Sequence, residues 1–548
     1  MKKYLLLSAF AIINFVNFAQ DLPEFEGEIK WSELFSVNRK VSAPEIIGHD
    51  GQNVYLMRYI KRKRFLEKYN IKTLQLQKSV EIILEYKNKD LELSSYFMFG
   101  NTPLLNTTFY NRDTKTTHSF FQVVNTNSLL ISEPRPVGKN EVPEVKGVRN
   151  KIAMAQVGYE TFSSSVLISD DRALAFISEP IYGEVDKDTK MPTVKGFRGK
   201  IYDDKLNLVA ENDYNLPYDR FSVVQTKFSN SGLLYVAGYQ TSIEEQGLLK
   251  RDQVILGKLE ILVLDLERGE IEILNVDVTN RKIREFSFLI DDKDAVIISG
   301  LISKKGGGVS GGFYTKYDAN FKEVSSNVVD FEDDFVTQDW SDRQKKKLEK
   351  SNSKKRKKGE KESQPDFYKY QLRDLILKPN GSLTLLAEQY YVRVVTTTYT
   401  DSQGNMRTKT TYYYYYNDVI VMNFSPSGKL EWKTLIDKYQ VSVNDGGYYS
   451  SFFTVLENND INVIFNDRES NSVDKEGLTK QELKALKRST VGVRVLVDEE
   501  GNQSREKLFE FEENGLKLVP KICDQADEES VFLYARSRHG DKLGAINW

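Results

Sequence analysis

Histidine and cysteine are scarce in this sequence, which has three histidines and one cysteine in 548 residues. The histidines, His49, His118 and His539, are far apart, and none has a second ligand at a spacing such as HxH or HExxH. We therefore predict no metal site and no cofactor. A single cysteine excludes a disulfide framework, so we expect Cys523 to be a small buried apolar residue.

An excess of either charge is also missing, because 77 Lys and Arg residues stand against 79 Asp and Glu residues. Proteins that bind DNA or RNA usually carry a clear basic excess over the whole domain. A nucleic-acid partner is therefore not predicted. The chain has no G-x-S-x-G motif and no helical α/β pattern that could hold a serine nucleophile, so a common hydrolase class loses its support.

Long apolar runs are missing except at the amino terminus, where Met1-Lys2-Lys3 precedes the run from Tyr4 to Phe18. A basic start, an apolar run shorter than the ~20 residues of a membrane span and a small residue at the break are typical of a secretory signal peptide. We predict a signal peptide at 1–20, cleaved after Ala19 or Gln20. The mature chain is expected to have no transmembrane segment and to be exported to the periplasm or the cell surface.

Alternating strands separated by turns of Asp, Asn, Gly or Ser recur along the rest of the chain. The pattern is found in eight copies, at 45–59, 93–109, 166–179, 226–239, 287–301, 374–388, 453–466 and 522–536. A second hairpin follows the first, as at 199–214, 261–278, 419–436 and 493–511. Two hairpins per repeat predict four antiparallel strands per repeat and an all-β fold.

The two ends of the chain complement each other. Lys542 to Trp548 supplies a third strand to the last repeat and no fourth, whereas Gly27 to Trp31 matches the turn and fourth strand at Gly428 to Trp432. We predict a single β-propeller over 21–548, with eight four-stranded blades favoured and seven as the alternative. The N-terminal strand would close it by pairing with the last C-terminal blade, which leaves no open edge at the seam.

Two resemblances follow from these repeats. The segments DFYKYQLRDLILKPNGSLTLLAEQYYVRVV (366–395) and NDGGYYSSFFTVLENNDINVIFND (444–467) resemble a group of uncharacterised exported propeller-like proteins of the Bacteroidota. That resemblance implies export and fold, and no activity. SPSGKLEW (425–432) is similar to the turn-and-tryptophan signature of quinoprotein-like propeller repeats, but only Trp31 and Trp432 occupy that position, so we interpret the match as blade geometry.

A long hairpin rich in tyrosine and threonine is predicted at 388–420, around the turn Asp401 to Asn405. About 11 residues on each side would reach on the order of 35 Å, so the hairpin should project from its blade. One interpretation is cross-strand aromatic pairing that stabilises the hairpin. The other is an exposed platform for a sugar, a peptide or another protein. The candidate binding residues are Tyr390, Tyr391, Tyr412, Tyr414 and Tyr416.

Two insertions complete the predicted organisation. The segment 338–365 contains a basic run with a single large apolar residue, which predicts a solvated, mobile loop that could contact an anionic surface through 343–362. A capping box at Thr479 and Glu482 predicts a short helix within 474–489. The candidate electrostatic residues are Lys345, Lys346, Lys347, Lys354, Lys355, Arg356, Lys357 and Lys358.

The sequence favours a non-catalytic binding or scaffolding protein of the cell envelope, with a protein or glycan partner. The alternative is an exported glycan-active or quinoprotein-like enzyme with its site at the propeller axis. Two carboxylates from different blades in one central pocket would favour the enzyme, and an axis filled by apolar side chains would exclude it.

Overall fold

The computed structural model describes residues 23–33, 35–36, 44–141, 166–185, 192–218, 221–244, 253–304, 307–338, 340–360, 362–468, 490–510, 516–525, 531–537 and 540–547. The predicted signal peptide at 1–20, the predicted helix within 474–489 and His539 lie outside these residues. The described chain is mostly β-strand, arranged in four-stranded antiparallel sheets.

Seven of the described sheets each consist of four consecutive strands that pair with their chain neighbours. Sheet 1 contains β3 (Glu45–His49), β4 (Asn53–Ile60), β5 (Lys63–Asn70) and β6 (Leu76–Ile82). Sheet 2 contains β9 (Glu92–Phe99), β10 (Thr102–Asn111), β11 (Thr116–Val123) and β12 (Arg135–Glu141). Sheet 3 contains β13 (Val166–Ile168), β14 (Leu174–Val185), β15 (Pro192–Asp203) and β16 (Leu208–Asn215). The strands β7 (Glu85–Tyr86) and β8 (Lys89–Asp90) pair only with each other.

Sheets 4 to 7 repeat this plan. Sheet 4 contains β17 (Phe221–Phe228), β18 (Leu233–Glu244), β19 (Gln253–Asp265) and β20 (Glu270–Val276), and sheet 5 contains β21 (Lys282–Ile290), β22 (Val296–Ser303), β23 (Gly311–Tyr317) and β24 (Glu323–Asp330). Sheet 6 contains β25 (Tyr370–Leu377), β26 (Leu383–Thr400), β27 (Met406–Phe424) and β28 (Leu430–Val443). Sheet 7 contains β29 (Phe452–Glu457), β30 (Asp460–Asp467), β31 (Val491–Val497) and β32 (Gln503–Glu510). The predicted hairpins therefore fall on observed hairpins, including the long one of β26 and β27.

Sheet 8 combines both ends of the chain. It contains β33 (Lys517–Leu518), β34 (Asp524–Gln525), β35 (Val531–Arg536) and β36 (Gly540–Asn547), together with β1 (Glu28–Trp31) and β2 (Phe35–Ser36). Strand β1 runs antiparallel to β36, so that Glu28 lies opposite Asn547 and Trp31 opposite Gly544. The N-terminal strand thus pairs with the last strand, as the match between the two ends of the sequence predicts.

Aspartate side chains fix many of the hairpin turns. In the turn after β26, Asp401 Oδ1 accepts hydrogen bonds from the backbone N–H groups of Gln403 at 3.0 Å and Asn405 at 2.9 Å. Such a side chain replaces a backbone acceptor and favours the turn conformation. The same pattern, with acceptance from the residues two and four positions later, occurs at Asp203, Asp291, Asp318 and Asp498.

The hydrophobic core is divided into clusters that lie between sheets. Each of the eight clusters found in the described residues combines side chains of two sheets that follow each other in the chain, or of sheets 8 and 1. The last of these joins Val54 and Leu56 of sheet 1 to Phe532 and Leu543 of sheet 8. Apolar burial therefore connects every sheet to two others.

Two helices follow sheet 5, α1 (Asp333–Thr337) and α2 (Asp342–Lys357), and a 3₁₀ turn lies at Pro520–Ile522. The predicted loop at 338–365 is wrong in its secondary structure, because α2 occupies most of it. Ser341 and Gln344 form a capping box at its start, and Lys, Arg, Gln and Glu have high helix propensity. None of the α2 residues is buried, and the mobility of the segment stays a prediction.

Candidate functional site

A pocket of about 440 Å³ lies between the first strands of sheets 4, 5 and 6. We call it the inner-strand pocket. Phe286 and several leucines supply apolar walls, and the residues with polar side chains are Gln225, Lys227, Glu285, Ser287, Arg373 and Asp374. Charges of both signs thus face one cavity from three different sheets.

The three first strands share a bulge at the level of this pocket. In each strand, one residue is skipped in the pairing with the next strand. The skipped residue is Val224 in β17, Arg284 in β21 and Arg373 in β25. A bulge leaves one residue unpaired, bends the strand and redirects side chains, and bulges are frequent beside functional sites. This irregularity presents Glu285, Arg373 and Asp374 at the pocket.

The two cations of the pocket have little pairing with the protein. Lys227 forms no hydrogen bond or ion pair with a described residue, although its Nζ lies 5.8 Å from the ring centre of Phe288. Burial lowers the pKa of Lys227, against the attraction of Asp170 and Asp374. Arg373 donates its Nε–H to Glu388 at 2.8 Å, and its terminal nitrogens donate to none of the described residues.

The two carboxyl groups of the pocket are held in an environment that disfavours their charge. Burial raises the pKa of Glu285, against the opposing effect of Arg373, and Glu285 accepts no hydrogen bond from a described residue. Burial also raises the pKa of Asp374, although Thr454 donates a hydrogen bond to it. Such shifts are common at binding and catalytic sites.

A fully buried ion cluster lies behind Arg373. Glu388 on β26 and Lys438 on β28 have 0% exposed side chains, and Lys438 Nζ donates to Glu388 Oε1 at 2.6 Å. The second oxygen of Glu388 accepts from Arg373 at 2.8 Å and from Ser451 Oγ at 2.8 Å. Lys438 Nζ also donates to the Tyr416 carbonyl at 3.0 Å and the Gln440 side-chain oxygen at 3.2 Å. We call this the Glu388 cluster.

Two of the predicted tyrosines support Arg373. The rings of Tyr390 and Tyr416 lie opposite each other in the hairpin with centres 4.7 Å apart. The Arg373 guanidinium carbon lies 5.2 Å from the Tyr390 ring centre and 5.8 Å from that of Tyr416, within the range of cation–π attraction. On Tyr416, Lys521 donates to the hydroxyl at 3.0 Å.

Of the other three predicted tyrosines, one lies on a different face from Tyr390 and Tyr416. Tyr391 lies on the opposite face of the hairpin and stacks on Tyr415 with ring centres 4.5 Å apart. Tyr412 is exposed, and Tyr414 is half-buried opposite Val392. Alternation places Tyr412 and Tyr414 on the same face as Tyr416 and Tyr390, so only the inclusion of Tyr391 in this surface is wrong. Cross-strand aromatic pairing, the first of the two interpretations, is confirmed for both paired sets.

The predicted basic residues lie elsewhere, on α2 and just after it. Lys355 donates to Ser363 Oγ at 2.7 Å, and Arg356 forms an ion pair with Glu362 at 3.4 Å. Lys345, Lys346 and Lys347 are consecutive, so they point in different directions around the helix. None of the eight predicted residues lines the inner-strand pocket.

Sequence reasoning missed Lys227, Glu285, Arg373 and Asp374, because they form no motif with fixed spacing. It also missed Lys438, for which a signal was present. Ile436, Lys438 and Gln440 alternate along β28 and are all buried, so a lysine stands in the apolar phase of a strand. A charged residue in that phase is a sequence-level pointer to a buried ion pair.

The described histidines and the cysteine lie outside the inner-strand pocket, and His118 lines a second cavity of about 800 Å³ with Glu179, Arg198 and Lys200. His118 lies on β11 beside Phe120, and His49 contacts Arg172 through its backbone oxygen at 2.9 Å. In the described part of the chain, His, Cys, Asp and Glu side chains form no group of three that could hold a metal ion. Cys523 is half-buried rather than fully buried. No helix among the described residues is long and apolar enough to cross a membrane.

No protein-family model and no curated protein matches the chain. Of the similar solved structures, one from work on two prolyl endopeptidases has 12% identity and a TM-score of 0.32 over 85% of this chain, and this chain spans 55% of its length. The β-propeller domain of the Trilobed protease from Pyrococcus furiosus has 10% identity and a TM-score of 0.29, and the match covers 76% of this chain and 100% of that domain. Penicillium chrysogenum α-L-arabinanase has 8% sequence identity and a TM-score of 0.30, and the match covers 73% of this chain and 94% of the arabinanase. At these values the likeness assigns neither an activity nor a ligand to this chain.

Proposed function

We propose that this protein is an exported, non-catalytic binding protein of the cell envelope. In this proposal the eight sheets are the blades of one closed propeller, and the inner-strand pocket holds a ligand that carries a carboxylate. Export rests on the signal-peptide pattern of 1–20.

Support for the propeller comes from the core. Eight apolar clusters link the described sheets in chain order and return from sheet 8 to sheet 1, and β1 pairs with β36. The seven-blade alternative requires one repeat to merge with its neighbour, but the described strands of each of the eight sheets pair only within their own sheet. The first strands of propeller blades surround the central channel, so the pocket lies beside the axis.

Support for an anionic ligand comes from one observation: neither cation of the pocket forms a hydrogen bond with the carboxyl groups there, Glu285 and Asp374, although these groups attract them. Lys227 is unpaired among the described residues, and Arg373 keeps its terminal nitrogens available beside it. An arginine whose Nε is already held is a suitable bidentate donor to a carboxylate, since the guanidinium plane is fixed. Phe286 adds an apolar surface for the rest of the ligand.

A second contact involves the basic residues of α2. No residue of this helix is buried, and it carries positive charge on several sides. In our proposal it approaches an anionic polymer or an acidic protein of the envelope, and the attraction weakens with ionic strength.

Titration calorimetry with sodium D-galacturonate tests the proposal, with D-galactose as the neutral counterpart. We expect galacturonate, and not galactose, to bind the full chain. Lys227→Met should weaken binding about tenfold, which corresponds to ~1.4 kcal/mol. The matched control is Lys282→Met, an exposed lysine on β21 that does not line the pocket.

A second arm separates the sources of the carboxylate. Acetylated diglycine presents a peptide carboxylate without a sugar ring, so preferential binding of this probe would identify a peptide ligand. If neither probe binds, or if Lys282→Met weakens binding as much as Lys227→Met, the pocket is not the ligand site and the proposal fails.

The enzyme remains a second candidate because Glu285 and Asp374 reach one pocket from different sheets. Their raised pKa values would suit a general acid. Incubation with polygalacturonate decides between the two. If the full chain releases new reducing ends from polygalacturonate and Glu285→Gln does not, the protein is an enzyme and the proposed non-catalytic function is wrong.

A further inference from the structure

The outer half of the Tyr/Thr hairpin is a two-stranded ribbon with open edges. On one side, β25 pairs with β26 only as far as Gln389, and on the other, β28 pairs with β27 only as far as Tyr413. Residues 393–400 of β26 and 406–412 of β27 extend beyond both, and nearly all of them are exposed. Exposed edges of this length are templates for pairing with another strand.

The orientation of the edge groups follows from Tyr412. Its N–H and C=O both bond to Asn444, on the side away from β26. Val394 lies opposite Tyr412, and the register continues without a bulge to Thr400 opposite Met406. Because backbone groups alternate between the two sides of a strand, Val394, Thr396, Thr398 and Thr400 direct their N–H and C=O groups to the open edge.

The two edges differ in charge. Strand β27 carries Arg407 and Lys409 between Met406 and Tyr412, and cations on an edge strand discourage pairing. Strand β26 carries no charge from Val394 to Thr400 and is rich in β-branched residues. It is bounded by Arg393, which has no ion-pair partner among the described residues, and by Asp401, which is bound to Arg407 at 2.8 Å.

We propose that β26 pairs antiparallel with β26 of a second copy of this chain, around a two-fold axis at Thr397. In this register Val394 lies opposite Thr400, Val395 opposite Tyr399 and Thr396 opposite Thr398 of the second copy. Arg393 then lies opposite Asp401 of the second copy, at both ends of the paired segment. The charges at the ends of the edge therefore complement each other, and every pair between them is uncharged.

The bodies of the two copies stay apart in this arrangement. Thr397 is six residues from Tyr391, the last residue of β26 beside Tyr368, which corresponds to about 20 Å of extended strand. The bodies of the two copies are thus about 40 Å apart along the strands. The four Val and Thr residues with outward backbone groups supply eight N–H···O=C bonds across the axis, and Val–Tyr and Thr–Thr cross-strand pairs are favourable.

Sedimentation velocity of the full chain over about 1 to 100 μM tests the pairing. We expect a dimer whose population rises with concentration. Thr396→Pro removes an outward N–H at the proposed interface and should give a monomer, while proline is tolerated at an open edge. Arg393→Glu should weaken the dimer at least tenfold, because the introduced carboxylate would face Asp401 of the second copy.

Thr410→Pro is the matched control, since Thr410 lies opposite Thr396 and the substitution removes an outward N–H on the other edge. This variant should remain dimeric, with a circular dichroism spectrum equal to that of the unchanged chain. A monomer at every concentration overturns the proposal. So does a dimer that survives Thr396→Pro, which would use another surface, or one that both proline variants abolish equally.

Discussion

The Glu388 cluster and the inner-strand pocket are two charged regions that share Arg373 and differ in how completely their groups are paired. In the cluster, Glu388 accepts three hydrogen bonds and Lys438 Nζ donates three, all within the buried protein. In the pocket, Lys227 and Glu285 have no hydrogen-bond partner among the described residues. Similar residue types are therefore fully paired in one region and partly without hydrogen-bond partners in the other.

Pairing, rather than charge or burial alone, is therefore what differs between the two regions. A buried charge with every hydrogen bond satisfied holds neighbouring strands in one arrangement. A partly buried charge without a partner costs stability, and proteins retain such groups where they bind or react. Arg373 connects the two regions because its Nε belongs to the cluster and its terminal nitrogens belong to the pocket.

The largest effect on stability should follow from removing a charge of the fully paired Glu388 cluster. Glu388→Gln leaves the Lys438 charge buried without a carboxylate, so we expect the free energy of unfolding to fall by about 3–5 kcal/mol. Urea unfolding followed by tryptophan fluorescence measures this loss. The control is Glu81→Ala, which removes an exposed pair with Lys63 at 2.8 Å and should cost less than about 1 kcal/mol. Equal losses in the two variants would remove the distinction.

A smaller effect should follow from Arg373→Gln, which touches both regions. The loss of a charge-assisted hydrogen bond to Glu388 should destabilise the protein by roughly 1.5–3 kcal/mol. Galacturonate binding should also be lost in calorimetry. Unchanged binding would show that Arg373 belongs to the cluster alone, and Lys282→Met serves again as the control for the binding measurement.

The smallest effect should come from Glu285→Gln, and its sign should be opposite. The pKa of Glu285 is raised in the folded protein, so ionisation costs folded-state stability at pH values above the unfolded pKa. The variant should therefore be more stable at about pH 7, by less than about 1 kcal/mol because solvent still reaches the carboxyl group. The gain should vanish below about pH 4, where the acid is protonated in both states. Urea unfolding at both pH values measures it, and a loss of stability at pH 7 would contradict it.

Much of the fold could be predicted because turn chemistry and strand alternation are local. Asp401 and Gly404 mark a turn without knowledge of the rest of the chain, and the match of Gly27–Trp31 to Gly428–Trp432 identified a strand that pairs with the other end. Helix α2 was missed because its repelling lysines were given more weight than their helix propensity and the capping box at Ser341.

The candidate site could not be predicted for a physical reason. Lys227, Glu285 and Arg373 meet only after three sheets have packed beside one another, and a bulge skips one residue near them in each first strand. A one-residue slip changes which side chains reach a given face, so strand alternation alone does not indicate them. The face of each hairpin tyrosine, by contrast, follows from alternation once the register is known.

The pairing of β1 with β36 also means that sheet 8 can form only after the whole chain has been made. Glu28 and Asn547 are separated by 547 − 28 = 519 positions, and closing a loop of that length costs roughly 5 kcal/mol of chain entropy. Because synthesis begins at the amino end, Trp31 is covered beside Gly544 and Phe509 only after the last residues have been made. A chain that stops short of β36 would keep this strand uncovered and accessible to proteases.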